Sequence, residues 1–429
     1  MKSLDHLKPN QGILLWSAVA AILFCPVLSG QDSGPVRLSL ADLSADLQIA
    51  TGGSSVDDSA LLNLQGGHHD PRKRGFTFQG LELGMQGVID PYLSLDAAIL
   101  YTIDAATNES HFEMEEAFLT SSQLPFGLHE KGVQLEAGQM LTEFGIHNPT
   151  HIHERNWLDK PVINTRIFGG GGMQGMGMRV GVDKPTSWLS QLHLGIQDAG
   201  GERMTSFNYS AGGETIGGIS AVENEVKGLE DFAYLIRAEK DIAGPAGETS
   251  WVIGASGLCG PNATGDDGRT IVLGADISMK WSPSENDEGW PYLIWQTEIM
   301  RRRFMLGEGS PGDGQGGALQ IGEGGISEND NLMDWGGYSQ VLWGYRKNWA
   351  VGLRYEYASG SSSLVDSSSD PARDDRQRIS PVLIWTPTGF SRFRLQYNYD
   401  LAEHLDESPV HSIWVGMEVH FGEHTAGAH

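Results

Sequence analysis

The sequence has no long apolar run after its first 30 residues. No later stretch approaches the ~18 apolar residues that would suggest a transmembrane helix. This absence excludes a helical membrane protein. It leaves open a membrane protein built from strands, because only alternate residues of such strands face lipid.

Cysteine and basic residues are scarce as well. The chain has 2 cysteines, and one of them, Cys25, lies in an apolar N-terminal segment. Cys259 alone would remain after export, so no intramolecular disulfide would stabilise the fold. Lys and Arg number 29 against 55 Asp and Glu, which gives a formal net charge of −26. This acidity argues against nucleic acid as a partner, and it suits an interior that attracts cations and repels anions.

The first 30 residues have the pattern of a secretory signal peptide. Lys2 and Lys8 form a basic start, residues 13–28 are apolar, and small residues precede Gln31. The apolar run is shorter than the ~20 residues that a membrane anchor requires. The sequence therefore predicts that residues 1–30 are a signal peptide that is cleaved on export.

Alternation of apolar and polar residues dominates the rest of the chain. In one segment Val351, Leu353 and Tyr355 alternate with Gly352 and Arg354. About 16 such segments are joined by short turns in alternation with long polar loops, the pattern of an outer-membrane barrel. Barrels of about 16 to 18 strands enclose a water-filled channel.

The sequence thus predicts an all-β protein, a transmembrane antiparallel β-barrel of about 16 strands. We expect a periplasmic lead over residues 31–44, the barrel over residues 45–421 and a periplasmic C-terminal tail over residues 422–429. The predicted location is the bacterial outer membrane, in contact with its lipid and lipopolysaccharide.

A soluble β-sandwich or β-propeller would alternate in the same way. Three features favour the barrel. The chain has 12 tryptophans and 11 tyrosines, and they recur near strand ends, where membrane interfaces attract them. Charged residues occupy the inward positions, which a packed core would not accept unpaired. The last strand ends at the aromatic Phe421, as is typical of outer-membrane proteins.

The predicted inward positions are acidic on the early strands and include three arginines on the late strands. The phase of the alternation predicts that eight charged residues face the lumen: Glu82, Glu113, Glu115, Glu136, Arg354, Glu356, Arg392 and Arg394. Acidic residues on early strands would then face arginines on late strands and create a transverse field. A single β-bulge would reverse any of these assignments.

Residues 145–172, called the histidine loop below, are dense in ionisable side chains. This third external loop is predicted to fold into the barrel as a constriction, with site residues His147, His151, His153, Glu154, Arg155 and Asp159. Three imidazole groups that lie close together can also bind zinc. Two interpretations stay open, a metal site formed by His147, His151 and His153 and a set of polar loop residues.

Three stretches resemble a known family: residues 81–92 (LELGMQGVIDPY), residues 113–124 (EMEEAFLTSSQL) and residues 136–159. The third stretch and the two residues after it carry the motifs Phe144-Gly145, Asn148-Pro149-Thr150-His151 and Trp157-Leu158-Asp159-Lys160-Pro161. They are similar to Gram-negative porin-like outer-membrane proteins that are distantly related to the phosphate-selective porins O and P. Some members are labelled zinc-regulated outer-membrane receptors. The resemblance implies a transport channel that assembles as a homotrimer. Phosphate-selective members line the pore with basic residues, and the excess of acidic residues here departs from that pattern.

The predicted function is therefore a porin through which small solutes or ions diffuse, without a cofactor. The alternative is surface capture or uptake of a metal, zinc, by the loop histidines. Enzyme activity is not expected, because no local nucleophile motif such as G-x-S-x-G is present.

Overall fold

The structure is a computed structural model that describes residues 39–422. Within this range it leaves out residues 122, 209–214, 217–218, 221–225, 245–247, 265–266, 285–288, 308–330 and 363–372. The predicted signal peptide and residues 423–429 of the predicted tail lie outside the described residues.

Eighteen strands form in the described part of the chain, and sixteen of them close into one antiparallel barrel. The strands are β1 (Ser39–Ser54), β2 (Gly75–Asp90), β3 (Leu93–Ile103), β4 (Ser110–Ser121), β5 (Val133–Leu141), β6 (Gln174–Asp183), β7 (Gln191–Asp198), β8 (Thr215–Ile216), β9 (Ile219–Ser220), β10 (Phe232–Ala243), β11 (Thr249–Pro261), β12 (Arg269–Trp281), β13 (Tyr292–Met305), β14 (Asn331–Arg346), β15 (Trp349–Ser362), β16 (Arg376–Thr388), β17 (Ser391–Ala402) and β18 (Val410–Phe421). Strands β8 and β9 pair only with each other. The predicted fold class and strand number are confirmed.

Pairing of β1 with β18 closes the barrel, with Ala45 opposite Phe421. Tight turns join β2 to β3 and β14 to β15 at one end, and longer loops follow β1, β5 and β7 at the other. Strand β1 begins at Ser39, so the barrel starts inside the stretch predicted as a periplasmic lead (31–44). A shift of register between Ser39 and Asp42 interrupts the alternation of apolar and polar residues there. The sequence pattern therefore does not indicate the first residues of β1.

The outer surface of the barrel is apolar. Exposed apolar side chains recur at every second position of the strands, among them Leu83, Phe112, Ile253, Leu273, Ile299, Leu353, Leu395 and Ile413. An apolar surface that extends over so many strands would not be stable in water. None of the helices in the described residues is long and apolar enough to cross a membrane.

The main apolar cluster lies inside the barrel instead of between two layers. Two short helices, α1 (Asp58–Leu62) and α2 (Val162–Phe168), occur in the loops after β1 and β5. Every residue of α2 is buried, and its apolar side chains cluster with inward residues of the wall such as Val272 and Met300. Burial of these side chains stabilises the position of the helix.

Candidate functional site

The two ends of the histidine loop are held together by one side chain. The Asn148 amide donates hydrogen bonds to the carbonyl oxygens of Thr142 (2.7 Å) and Met173 (3.0 Å). Its own oxygen accepts a hydrogen bond from the Met173 N–H at 2.8 Å. The chain therefore leaves the wall after β5 and returns to it before β6 at a fixed point.

The far end of the loop is attached to strands β15, β16 and β17. Asp159 forms ion pairs with Arg354 and, at 3.1 Å, with Arg378, and it accepts a hydrogen bond from Asn398 at 2.7 Å. Burial alone would raise the pKa of Asp159, but the Arg378 and Arg354 guanidiniums lower this pKa to about 2. The carboxylate is therefore charged at any physiological pH.

Apolar side chains and a helix terminus complete this attachment. The Trp157 indole donates a hydrogen bond to the Ser380 carbonyl oxygen at 2.9 Å. Leu158 fills the space over Gly416, where an added Cβ would lie only 2.2 Å from the Leu158 Cδ2 atom. The first N–H of α2, from Val162, donates to the Glu356 carboxylate at 2.6 Å. The loop thus crosses the interior from β5 to the opposite wall.

On the near wall the loop contacts glutamates. The His151 Nδ1 atom lies 3.0 Å from Glu82 and 3.3 Å from Glu115, and its Nε2 atom lies 3.0 Å from Glu116. Burial alone would lower the pKa of His151, but Glu82 and the other two carboxylates raise it well above its ordinary value. His151 is therefore an imidazolium that the three carboxylates share.

A β-bulge creates this arrangement. Opposite β3, Met114 pairs with Ile99 and Glu116 pairs with Ala98, so Glu115 is the extra residue. A bulge lets two successive side chains turn toward one face. Both glutamates therefore reach His151, although strict alternation predicts that only Glu115 faces inward.

The remaining predicted loop residues have separate partners. The His153 Nδ1 atom donates to Glu82 at 3.0 Å and its ring stacks on that of His151. Glu154 accepts a hydrogen bond from the His151 N–H at 3.0 Å. The Arg155 side chain donates to the Thr150 carbonyl oxygen, and the Arg155 carbonyl oxygen accepts from Arg394 at 2.7 Å.

His147 is placed away from the other two histidines. It is buried beside Tyr338, with the ring centroids 6.2 Å apart. Among the described residues, the ligand atoms that meet within 4.8 Å belong to Glu82, Glu115 and His151. The structure does not bring His147, His151 and His153 together as one metal-binding set.

The loop after β1 covers the histidine loop from the long-loop end. Asp70 accepts hydrogen bonds from the Lys160 N–H at 3.1 and 3.2 Å, and the His68 N–H donates to the Gly170 carbonyl oxygen at 3.0 Å. An added Cβ on Gly170 would lie 2.3 Å from the His68 ring. The run of glycines over residues 169–172 therefore permits close packing, not the flexible exit that its composition suggests.

The other inward charges predicted from the alternation are paired locally. Glu113 pairs with Arg203, Glu136 pairs with Arg179 at 2.6 Å, Arg354 also pairs with Glu356 at 2.7 Å, and Arg392 and Arg394 share Glu418 at 2.6 and 3.0 Å. The predicted transverse field is correspondingly weakened, because each wall carries its own counter-charges.

The two walls differ in their access to water. On the acidic wall the side chains of Glu113, Glu116 and Glu136 are 25%, 18% and 15% exposed. On the basic wall Arg354 and Arg394 are each 1% exposed under the loop. Three carboxylates are thus partly accessible on the acidic wall, whereas on the basic wall Arg354 and Arg394 are inaccessible and Arg392 is 16% exposed.

Sequence reasoning missed several residues of this site. Strict alternation from Glu113 and Glu115 does not indicate Glu116, because it takes no account of the bulge. The roles of Asn148 and Asp70 depend on contacts between distant segments. Arg378 lies in β16, two residues after Arg376, so both side chains point to the same face of the strand. The alternation in that strand is a signal that would have identified Arg378.

The chain has a relative in sequence and relatives in fold. No model of a known protein family matches the sequence. An uncharacterized protein of Aquifex aeolicus is 25% identical over 394 residues, which cover 86% of this chain and 75% of that protein. The outer-membrane channel DcaP of Acinetobacter baumannii superposes with a TM-score of 0.53 at 11% identity, over 92% of this chain and 100% of that chain.

Two further structures have the same architecture. An anion-selective porin from Comamonas acidovorans has a TM-score of 0.52 at 9% identity and covers 90% of this chain and 100% of its own. OmpT of Vibrio cholerae, in a trimer form, has a TM-score of 0.50 at 6% identity, with coverage of 90% and 100%. The chain shares the fold of Gram-negative outer-membrane porins, and this fold with its apolar outer surface makes it a barrel of the bacterial outer membrane.

Proposed function

We propose that the chain forms an outer-membrane pore through which small solutes and ions diffuse past the histidine loop. The closed barrel of sixteen strands is wide enough to enclose water, and the loop reduces the open cross-section by crossing to the far wall. The remaining path follows the acidic wall, where charged side chains stay accessible.

The difference in exposure between the walls carries this proposal. Arg354 and Arg394 are buried and paired, whereas Glu113, Glu116 and Glu136 are partly exposed. Accessible carboxylates concentrate cations and repel anions in a narrow pore. We therefore infer a preference for cations over anions.

The inferred cation preference differs from the selectivity of the phosphate-selective porins, whose relatives this chain resembles. A phosphate pathway requires accessible basic side chains, and here Arg354 and Arg394 of the late strands are buried under the loop. The resemblance supports a channel, but the acidic path argues against phosphate as the preferred solute.

The proposal includes assembly and export. One solved structure with this fold is described as a trimer, and we propose a homotrimer surrounded by lipid and lipopolysaccharide. Export through a signal peptide at residues 1–30 belongs to the same proposal. Metal capture as the main function is not favoured, because His147 is buried apart from His151 and His153.

Planar-bilayer recording tests the proposal. We expect stepwise conductance in groups of three, and a reversal potential in a KCl gradient whose sign indicates cation preference. Preference for chloride would contradict the acidic path. Absence of conductance from correctly folded protein would show that the loop closes the barrel.

A further inference from the structure

We propose that Glu82, Glu115 and His151 form a binding site for a divalent cation of the zinc class between the histidine loop and the near wall of the barrel. This inference concerns binding and goes beyond the diffusion pore proposed above. It does not depend on conductance, since the site would exist in a barrel that conducts nothing.

The spacing of the donor atoms suits a tetrahedral ion. The His151 Nδ1 atom lies 3.0 Å from a Glu82 oxygen and 3.3 Å from a Glu115 oxygen, and all three donor atoms lie within 4.8 Å of one another. Zinc bound at about 2.1 Å from each ligand needs ligands about 3.4 Å apart. Small side-chain shifts would therefore admit the ion, and water would occupy its fourth position.

Two neighbouring groups support the donors in the way that metal sites require. The His151 Nε2 atom lies 3.0 Å from Glu116, and the second Glu82 oxygen lies 3.0 Å from His153 Nδ1. A histidine that binds a metal through one nitrogen usually donates its other N–H to a carboxylate, which orients the ring. Glu116 occupies that position and Glu82 is itself oriented by His153.

The donors come from separate elements that are each fixed in place. The bulge in β4 turns Glu115 and Glu116 toward the ring, and Glu154 fixes the backbone of His151 through its N–H at 3.0 Å. The His151 and Glu116 side chains remain 17% and 18% exposed, so an ion can enter from water. A bound ion would join the loop to β2 and β4.

The carboxylates around the site suit a divalent cation. Without a metal, three carboxylates from Glu82, Glu115 and Glu116 surround the His151 imidazolium. On binding, the Nδ1 proton leaves to water and the ion takes its place, which adds one positive charge. Imidazole among the donors selects zinc, copper or nickel over calcium or magnesium.

Isothermal titration of the full barrel in detergent with Zn²⁺ tests the proposal. We expect His151→Ala to lose one equivalent of tightly bound zinc relative to the unsubstituted chain. His129→Ala, which removes a histidine from a turn at the opposite end of the barrel, should retain that equivalent. Binding by any other histidine contributes equally to all three titrations and cancels in the comparison.

Glu116→Gln is the second variant, because it leaves the three donors intact. We expect its zinc affinity to fall by about 10- to 100-fold, the usual effect of changing a group that orients a ligand. Far-UV circular dichroism establishes that each variant is folded. X-ray absorption at the zinc edge should show one imidazole nitrogen and carboxylate oxygens around the ion.

Two results would overturn the proposal. One is an unchanged zinc stoichiometry and affinity in both folded variants. The other is displacement of the zinc by an equal concentration of Ca²⁺, since a site with an imidazole donor should not prefer the harder ion. If His151→Ala does not fold, Glu116→Gln decides the question alone.

Discussion

Asp159 attaches the histidine loop to the far wall of the barrel. Its carboxylate forms ion pairs with Arg354 and Arg378 and accepts a hydrogen bond from Asn398. The three partners come from three adjacent strands, so one side chain attaches the loop to the whole far wall. Loss of one partner from a buried ion pair costs far more than loss of an exposed one, since the remaining charge stays out of water.

We predict that Asp159→Asn lowers the free energy of unfolding by about 3 kcal/mol, because it leaves one excess positive charge in a buried network. The measurement is urea unfolding of the barrel in lipid vesicles. The control is Glu154→Gln, which removes an exposed carboxylate from the same loop and should change stability by less than about 0.5 kcal/mol. Equal effects of the two substitutions would show that Asp159 does not attach the loop.

The pH dependence of this contribution follows from the pKa of Asp159. The pKa is lowered from 3.8 to about 2 in the folded chain, so the stability that the charged group contributes is complete above pH 3.8 and disappears as the pH falls to about 2. We expect the difference in stability between the original chain and Asp159→Asn to follow this course. A difference that stays constant between pH 5 and pH 2 would mean that the pKa is not lowered.

Two local elements determine how the interior is filled. Helix α2 places Val162, Ile163 and Ile167 against the wall, where each is at most 1% exposed. The bulge in β4 places two glutamates beside His151 on the other side. The loop is therefore held by apolar packing along α2 and by charged groups at His151 and Asp159.

We predict that Ile167→Ala lowers the free energy of unfolding by about 2–5 kcal/mol, because it leaves a cavity in a packed cluster. The matched control is Ile299→Ala, since Ile299 is 59% exposed on the outer surface of the barrel. Unfolding in vesicles measures both. A loss for Ile299→Ala as large as that for Ile167→Ala would show that α2 is not tightly packed.

Across the whole molecule, the partly exposed carboxylates of the acidic wall and the buried arginines of the basic wall lie on different strands of the barrel. Arg354 and Arg394 on the late strands are buried under the loop, whereas Glu113 and Glu136 on the early strands are partly exposed. Charged groups that are exposed in a narrow passage affect ion flow more than buried, paired groups of equal number. The ion preference is therefore expected to follow the accessible wall.

We predict that the double substitution Glu113→Gln with Glu136→Gln moves the reversal potential toward zero, since it leaves Arg203 and Arg179 without these partners. The shift should be larger at 0.05 M than at 1 M KCl, because salt screens the field. The control is Glu109→Gln in the loop between β3 and β4. An unchanged reversal potential in the double variant would place the ion path elsewhere.

Periodicity and charge along the sequence are enough to predict the fold and to identify most of the charged groups in the interior. Alternation with period two is a local property, and it located sixteen strands and the inward position of Arg354, Glu356 and Arg394. The density of ionisable residues over residues 145–172 also identified the loop, because such residues require water or partners.

Which of these groups are in contact depends on the three-dimensional arrangement of the strands and loops. The bulge at Glu115 reverses the phase of one strand, and alternation cannot reveal where a register shifts. His147 lies apart from His151 in the folded chain. Asp159 contacts Arg354, although nearly two hundred residues separate them in sequence, because such long-range contacts depend on how the barrel closes. Sequence order carries charge and periodicity, but burial and distance arise only when distant strands surround the loop.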